Sequence, residues 1–266
     1  MERKFFERDS PPHFQIDLGG GGNKKTDGLL HKYVTQEKIT KDDQHLIRSR
    51  IKTSTNMGDL ETADFVIEAA TENTDLKLKI FKKVSDIAPA HAILASNTSS
   101  ISITKIAAAC PKREDKVIGM HFMNPVPVMK LVEIINGLAT SVETSERTVQ
   151  LAHSMGKTTT KSLDSPGFIA NRILMPYINE AVQTLSEGIA TPEDIDTTMK
   201  LGTNVPMGPL QLADFIGLDT CLAIMKVLHT EFGDSKYRPS PLLIKMVDAG
   251  WVGKKAGRGF YVYAGK

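Results

Sequence analysis

Three short apolar runs, each followed by polar residues, constrain the fold of this chain more than any other feature of its sequence. They lie at residues 64–70, 92–96 and 117–120, and helix-sized segments at 76–87 and 102–109 separate them. Apolar strands that alternate with helices are typical of βαβ units, in which a parallel sheet is covered on both faces. The sequence therefore predicts an α/β fold with a Rossmann-like parallel sheet.

Polar side chains follow each of these runs. Glu72 follows the first run, an Asn-Thr-Ser-Ser stretch at 97–100 follows the second, and His121 and Asn124 follow the third. In open parallel sheets, ligands bind outside the carboxyl ends of the strands. We therefore predict a binding site at this edge of the sheet.

His121 has a candidate partner further along the chain. Pro125 and Pro127 disfavour helix, so the chain is expected to turn back after His121 and bring Glu133 beside it. A histidine at a strand end with a carboxylate behind it suits a general base. A lone histidine is more often structural, and a lone Glu133 is compatible with a surface acid. The nearby Asn124 and the apolar neighbours of Glu133 favour the paired interpretation.

The second half of the chain is mainly helical in pattern. A broad apolar stripe covers 169–188, and Thr191, followed by a proline and two acids, predicts a helix start. The Asp-Ser-Pro-Gly-Phe stretch at 164–168 is typical of a hinge. We divide the chain into an irregular segment at 1–25, a Rossmann-like domain at 26–163 and an all-α domain at 164–266.

Composition excludes several classes of function. With 41% apolar residues, 24% charged residues and a formal charge of +2, the chain shows no electrostatic footprint for nucleic acid or a membrane. It contains no bilayer-spanning apolar run and no secretory signal, and its start makes a poor transit peptide. Two cysteines argue against a disulfide framework, and no His/Cys cluster has metal-ligand spacing. We expect a soluble intracellular protein, in the mitochondrial matrix or the cytoplasm, with no metal.

Five ordered motifs resemble those of the L-3-hydroxyacyl-CoA dehydrogenase family, at nearly the family's spacing over residues 26–263. They are Ala-Ser-Asn-Thr-Ser-Ser at 95–100, His-Phe-Met-Asn-Pro-Val-Pro-Val-Met-Lys-Leu-Val-Glu at 121–133, Asp-Ser-Pro-Gly-Phe-Ile-Ala-Asn-Arg at 164–172, Pro-Met-Gly-Pro-Leu-Gln-Leu-Ala-Asp at 206–214 and Gly-Lys-Lys-Ala-Gly-Arg-Gly-Phe-Tyr at 253–261. Such an ordered set is far more specific than one loose pattern.

The resemblance implies oxidation of an L-3-hydroxyacyl-CoA to a 3-ketoacyl-CoA with NAD in fatty-acid β-oxidation. His121 would take the hydroxyl proton, and Glu133 would orient its ring and stabilise the imidazolium. Ser99 and Asn171 match positions that hydrogen-bond the substrate's oxygen atoms, where negative charge develops during ketone reduction. Both residues are also compatible with a helix-capping role alone. Asn124 matches a position close to the nicotinamide.

The resemblance also implies contacts with the cofactor and a partner subunit. Glu72 and Lys77 match residues that touch the ribose and phosphate side of NAD, although charged residues at such positions are usually solvated. Lys255 matches a lysine that a C-terminal loop brings near the cofactor, and Ser99 is counted with this group as well. The helical domain resembles the family's dimerisation domain, so a homodimer is expected.

The start of the chain departs from the family pattern, which opens with a strand, a Gly-x-Gly-x-x-Gly turn, a helix and a strand ending in an acid. Four glycines occur at 19–22, but the sixth position from Gly19 is Lys24. Residues 14–17 are compatible with a remnant of the second strand, with Asp17 at its end. We therefore expect this cofactor-binding unit to be missing, and the chain to bind NAD weakly and to aggregate. An inactive acyl-CoA-binding or heterodimerising paralogue, or an incomplete gene model, stays open.

Overall fold

Seven strands and ten α-helices are described within residues 15–17 and 22–263 of a computed structural model. The strands are β1 (Gln15–Asp17), β2 (Ile51–Thr53), β3 (Phe65–Glu68), β4 (Ile93–Ser96), β5 (Val117–Phe122), β6 (Leu131–Asn136) and β7 (Thr158–Leu163). The first five helices are α1 (Gly22–Thr35), α2 (Lys41–Ser49), α3 (Thr74–Ile87), α4 (Ile103–Ala107) and α5 (Val142–Ser154). The other five are α6 (Ala170–Ser186), α7 (Pro192–Gly202), α8 (Pro209–Ile216), α9 (Leu218–Phe232) and α10 (Pro241–Asp248).

The chain forms two compact units, which are described separately below. The first unit extends to Thr98 and includes Ile103–Lys161, whereas the second contains Ser99–Ser102 and the residues from Ser162 onward. The short stretch after β4 therefore groups with the helical part of the chain. No helix within the described ranges combines the length and apolar character that a bilayer crossing requires.

The main sheet has the strand order β3-β4-β5-β6-β7. β3 pairs with β4, and β4 with β5, in parallel. β5 and β6 instead run antiparallel. Their connection, residues 123–130, is too short for the crossover that a parallel pair needs. The predicted Rossmann-like α/β fold is confirmed, with an antiparallel pairing, between β5 and β6, beside its parallel strands.

The core of the first unit explains why the central strands read as continuous apolar runs. All four residues of β4 are buried, and so are the first five residues of β5. Strands covered on both faces require apolar side chains on both faces, so no alternation with polar residues is visible. One apolar cluster joins β4, β5, β6 and α5, and it contains Ile93, Ala95, Ile118, Met120, Val132, Ile134 and Ala152.

The N-terminal region holds a strand that the sequence suggested only weakly. β1 pairs in parallel with β2, and together they form a separate two-stranded sheet. The prediction that residues 1–25 are irregular is therefore wrong for Gln15–Asp17 and for the start of α1 at Gly22. Strand pairing of this kind is a tertiary effect that three residues of sequence do not reveal. Residues 1–14 and 18–21, which include most of the glycine run, lie outside the described residues.

The second unit is built from helices α6–α10, which confirms the predicted all-α C-terminal part. Thr191 caps α7 by accepting from the Asp194 N–H at 3.2 Å, and Pro192 occupies the first turn, as predicted. Aliphatic and aromatic side chains from all five helices share one core; its residues with at most 1% exposure are Met175, Ile178, Val182, Leu210, Ala213, Leu218, Cys221, Met225, Leu228 and Leu243.

Arg113 stabilises the connection between α3 and β4 in the first unit by hydrogen bonds to its backbone. Its guanidinium donates to the carbonyl oxygens of Ser85 and Ala88 at 2.9 and 2.8 Å, near the end of α3. It also donates to those of Pro89 and Ala92 at 2.7 and 2.9 Å, just before β4. The last carbonyls of a helix have no partner within the helix, so the buried arginine satisfies groups that folding would otherwise leave without one.

We predict that Arg113→Met lowers the free energy of unfolding by about 2–4 kcal/mol, because buried carbonyls lose their donor. Urea denaturation of the purified protein measures this change. Arg147→Met is the control, since Arg147 lies 3.7 Å from an exposed Glu143 and should contribute less than ~0.5 kcal/mol. Equal losses in the two variants would contradict the role assigned to Arg113.

Candidate active site

His121 and Glu133 form a buried pair across two neighbouring strands. They are register partners in the antiparallel pairing of β5 with β6. His121 Nδ1 lies 2.8 Å from Glu133 Oε2, and the two residues are 6% and 1% exposed. Residues directly opposite each other in an antiparallel pair extend to the same face of the sheet, which explains the contact. The structure therefore brings together the histidine and carboxylate that the sequence singled out.

The proline-containing turn after β5 is held in place by a lysine. Lys157 Nζ donates to the carbonyl oxygens of Val126 and, at 2.8 Å, of Met129. Within the turn, the N–H groups of Val128 and Met129 donate to the Pro125 carbonyl at 2.9 and 3.0 Å. Asn124, at the start of this turn, is exposed. An exposed amide beside the end of β5 is well placed to bind a ligand.

Lys77 does not have the solvated environment expected of a lysine near this sheet edge. It is 1% exposed, and its ammonium forms an ion pair with the carboxylate of Glu68, which is 7% exposed. The Ser96 hydroxyl donates to Glu68 Oε2 at 2.9 Å, and the Ala70 N–H donates to Oε1 at 2.7 Å. Because a buried ammonium requires a paired anion, Lys77 is committed to this cluster at the ends of β3 and β4.

Glu72 has a different environment from Lys77. Its side chain is exposed, and its Oε2 accepts a hydrogen bond from the Thr98 hydroxyl at 2.9 Å. Both residues follow parallel strands at the carboxyl edge of the sheet, Glu72 after β3 and Thr98 after β4. A carboxylate in this position suits the hydroxyl groups of a ribose.

Ser99 and Asn171 lie together in the second unit. Asn171 Nδ2 donates to the backbone carbonyl of Ser99 at 3.2 Å, and Asn171 is 9% exposed near the start of α6. Ser102 donates through its hydroxyl to Asp164 Oδ2 at 2.7 Å, which provides a second link to the same stretch. The two predicted substrate-contacting residues are thus neighbours, although 72 positions separate them in sequence.

Lys255 lies in an exposed C-terminal loop, in a single turn of 3-10 helix (Lys254–Ala256). Its ammonium is 2.7 Å from a carboxylate oxygen of Asp219, in the first turn of α9. This pairing is one cause of the lowered pKa of Asp219, acting against the desolvation that raises it. The predicted cofactor-proximal lysine is therefore held in a defined position within the second unit.

Two buried aspartates that the sequence analysis missed anchor the loop that carries Lys255. Asp214 is 1% exposed and accepts from the N–H groups of Phe260 and Tyr261 at 3.0 Å, and from the Tyr263 hydroxyl at 3.0 Å. Burial raises the pKa of Asp214, and these hydrogen bonds act against the rise. Asp196 accepts from the Tyr261 hydroxyl at 2.8 Å. A single acid within the apolar Leu-Ala-Asp-Phe-Ile stretch was the available signal for Asp214.

The glycines of this loop are required by the same aspartate. A Cβ at Gly259 would lie 1.9 Å from Asp214 Oδ1, and a Cβ at Gly253 would lie 2.4 Å from the Asp214 carbonyl oxygen. Gly253 also has a φ of +94°, which L side chains rarely adopt. The Gly-rich pattern at 253–261 therefore serves the close packing of the loop onto α8.

Both cysteines are poor candidates for chemistry. Cys110 and Cys221 are unpaired and buried. Burial raises the pKa of the Cys110 thiol to about 11 and that of the Cys221 thiol to about 12. In the part of the chain that the structure describes, no three His, Cys, Asp or Glu side chains are grouped so that they could hold a metal ion.

Comparison with known proteins identifies the class to which this fold and site belong. The family model for the NAD-binding domain of 3-hydroxyacyl-CoA dehydrogenase matches residues 20–165. The model for the C-terminal domain of the same family matches residues 167–263. The chain therefore belongs to the 3-hydroxyacyl-CoA dehydrogenase family and is an NAD-dependent oxidoreductase.

Individual relatives agree with this assignment. A probable 3-hydroxybutyryl-CoA dehydrogenase of Bacillus subtilis is 56% identical over 245 residues, which cover 92% of this chain and 85% of that protein. The human mitochondrial hydroxyacyl-coenzyme A dehydrogenase is 46% identical, over 81% of this chain and 69% of the human protein. The crystal structure of (S)-3-hydroxybutyryl-CoA dehydrogenase PaaH1 from Ralstonia eutropha has a TM-score of 0.90 and 54% identity, over 92% of this chain and 87% of that one.

These matches bear on the start of the chain. The prediction that the cofactor-binding unit is missing is not supported, because the family's NAD-binding domain is recognised from residue 20 onward. The stretch that the sequence suggested as a remnant of the second strand forms β1 over Gln15–Asp17, and α1 begins at the last glycine of the run. The chain thus has an NAD-binding domain, as its membership of the family requires.

The buried Glu68–Lys77 pair gives a prediction that distinguishes the stabilisation due to the ion pair from the cost of burying its charges. Lys77→Met should lower the free energy of unfolding by about 3–5 kcal/mol, since it leaves a buried carboxylate without a counter-charge. Glu68→Gln combined with Lys77→Met should recover at least about half of that loss, because no uncompensated charge remains. Urea denaturation of both variants and of Glu68→Gln alone completes the cycle. Additive losses across the cycle would contradict the pairing.

Proposed function

We propose that this chain oxidises the C3 hydroxyl of an L-3-hydroxyacyl-CoA to a ketone, with His121 as general base and Glu133 as the residue that orients it. The observation that carries this proposal is the buried contact between His121 Nδ1 and Glu133 Oε2 at 2.8 Å. With Nδ1 held by a carboxylate, Nε2 is the nitrogen that exchanges a proton with the substrate. The carboxylate also stabilises the imidazolium that forms when the proton arrives.

NAD, when bound, would supply the acceptor for the hydride that leaves C3. The residues present fit NAD, because the carboxyl edge of a parallel sheet carries an exposed carboxylate at Glu72 and an exposed amide at Asn124. We propose that Glu72 binds ribose hydroxyls, that Asn124 lies near the nicotinamide end and that Lys255 supplies a positive charge near the cofactor. Lys77 contributes differently: it holds Glu68 and Ser96 and so shapes the edge on which the cofactor binds.

Ser99 and Asn171 are proposed to bind the substrate's oxygen atoms. Their proximity supports a shared role, since Asn171 Nδ2 already donates to the Ser99 carbonyl. Amide and hydroxyl donors stabilise an oxygen on which negative charge develops. Such charge develops on the oxygen bonded to C3 when the ketone is reduced in the reverse reaction. Ser99, which follows β4 in the chain, is proposed to contact NAD as well.

A short acyl chain is the proposed substrate class. The Bacillus subtilis relative and the Ralstonia eutropha structure are both named for 3-hydroxybutyryl-CoA. Similarity above 50% identity to both supports a four-carbon substrate for this chain. We place the reaction at the dehydrogenation step of fatty-acid β-oxidation, where a 3-hydroxyacyl-CoA is the substrate and a 3-ketoacyl-CoA the product.

The proposed base is tested by two substitutions and one matched control. His121→Gln should lower kcat at least ~100-fold, since it removes the proton acceptor. Glu133→Gln should lower kcat by roughly 100-fold, since it removes the charge that orients and stabilises the imidazolium. NADH formation from (S)-3-hydroxybutyryl-CoA is the measurement. His153→Gln should leave kcat unchanged, because His153 is an exposed residue of α5 whose ring contacts Thr159.

The outcomes separate the competing functions. Full activity in His121→Gln would overturn the assignment of the base. A wild-type protein that binds acetoacetyl-CoA without any turnover would instead indicate an acyl-CoA-binding paralogue.

A homodimer formed through the C-terminal helices is also proposed. Large apolar side chains of the second unit are exposed, among them Ile173 at 66%, Phe215 at 55% and Leu201 at 81%. Exposed apolar side chains in such numbers on one helical unit favour a protein–protein contact.

We predict that Ile173→Asp converts a dimer into a monomer, because it places a charge within the proposed apolar contact. Light scattering after size-exclusion chromatography measures the mass. Lys226→Asp, a charge change in a polar exposed position of α9, is the control and should leave the mass unchanged. A monomeric wild-type protein would refute the proposal.

A further inference from the structure

We propose that Asn97 is a positioning residue for the His121–Glu133 pair: its side-chain oxygen fixes the peptide unit between His121 and Phe122. Asn97 Oδ1 accepts a hydrogen bond from the Phe122 N–H at 2.8 Å. The importance of this contact to catalysis rests on the function proposed above for His121. The contact itself is a property of the first unit alone.

The contact lies where the backbone ladder between β4 and β5 stops. The last register pair of these strands is Ser96 with Gly119. β5 continues for three more residues, to Phe122, while β4 has ended. On its other side, β5 remains paired with β6 through Phe122 and Val132. Asn97 therefore replaces a missing ladder partner on the β4 side, next to the residue that carries the imidazole.

The backbone of Asn97 is held in place by the neighbouring strand β3. Its backbone N–H donates to the carbonyl oxygen of Glu68, the last residue of β3, at 2.7 Å. The Glu68 side chain is held in turn by Lys77, the Ser96 hydroxyl and the Ala70 N–H. The buried ion pair thus stabilises Glu68, whose carbonyl oxygen holds the backbone of Asn97. The Asn97 side chain in turn holds the end of β5.

The geometry explains how a contact to Phe122 acts on His121. A peptide bond is planar, so holding the Phe122 N–H also holds the His121 carbonyl and restricts ψ at His121. The direction of the Cα–Cβ bond follows from the backbone, and the imidazole follows from that bond. Loss of the Asn97 oxygen would free the end of β5 on one side, and a small displacement of a reacting group is costly to rate.

The test compares both ends of the same strand. Asn97→Ala removes the acceptor, and Asn97→Asp keeps an oxygen at the same position. Thr140→Val is the matched control, since the Thr140 hydroxyl donates to the Val117 carbonyl at 2.7 Å, at the first residue of β5. Each of the three variants removes or alters one side-chain contact to the β5 backbone, but only two of them do so beside His121.

Two readouts are measured on each variant. The first is hydrogen exchange of the Phe122 amide, which needs no substrate. We expect it to rise at least ~10-fold in Asn97→Ala and to stay near the wild-type rate in Asn97→Asp and Thr140→Val. The second is steady-state oxidation of (S)-3-hydroxybutyryl-CoA. We expect kcat to fall about 10- to 100-fold in Asn97→Ala, with KM for the acyl-CoA within about twofold, and to recover in Asn97→Asp.

Several results would overturn the proposal. An unchanged Phe122 exchange rate in Asn97→Ala would show that the contact does not hold the strand. Equal losses of kcat in Asn97→Ala and Thr140→Val would show a general effect of destabilisation. A raised KM with an unchanged kcat would show a binding role. If the wild-type protein lacks turnover, the proposed function fails while the exchange experiment still decides whether Asn97 holds β5.

Discussion

The antiparallel register between β5 and β6 is the constraint on which the candidate site depends. Side chains along a strand alternate between faces, so a slip of one residue would carry Glu133 to the face opposite His121. The register is set by the short proline-containing turn and by apolar side chains of both strands that pack into one core. The same residues that stabilise the sheet therefore determine whether the histidine has a carboxylate partner.

The buried ion pair of Glu68 and Lys77 links the secondary-structure elements beneath the carboxyl edge of the parallel strands. Removing two charges from water is costly, and such a pair is weak evidence for stability alone. Here the pair fixes the positions of neighbouring groups, because Glu68 also accepts hydrogen bonds from the Ser96 hydroxyl and the Ala70 N–H. One carboxylate thus joins the end of β3, the end of β4 and the first turns of α3. A hydrophobic replacement of equal volume would not connect these three elements.

The sequence predicted much of the fold and the central pair of the site. Continuous apolar runs identified β3, β4 and β5, because strands buried on both faces leave a local signal. Pro125 and Pro127 predicted the return of the chain that places Glu133 beside His121. Thr191 was recognised as a helix cap, and it accepts the expected backbone hydrogen bond. These features depend on residues close together in sequence.

The remaining features depend on contacts between distant residues. β1 and β2 contain three residues each, too few for a periodic pattern, and they are strands because they pair with each other. Lys77 resembles any exposed helical lysine until Glu68 and Ser96 are placed around it. The neighbourhood of Ser99 and Asn171 spans 72 positions. In each case the missing information is the position of a partner, which local sequence does not contain.

The packing of Asp214 against the C-terminal loop has a consequence for protein engineering. The loop is fastened at two glycines, where even a methyl group would displace the aspartate, while Lys254–Ala256 between them is exposed. A library that varies only these three positions would change the charge presented by the loop and keep its anchorage. A library that includes Gly253 or Gly259 would mostly contain variants in which the loop no longer packs against α8. The charge that Lys255 supplies in the proposed cofactor contact is therefore best varied by randomising the tip of this loop and leaving its base intact.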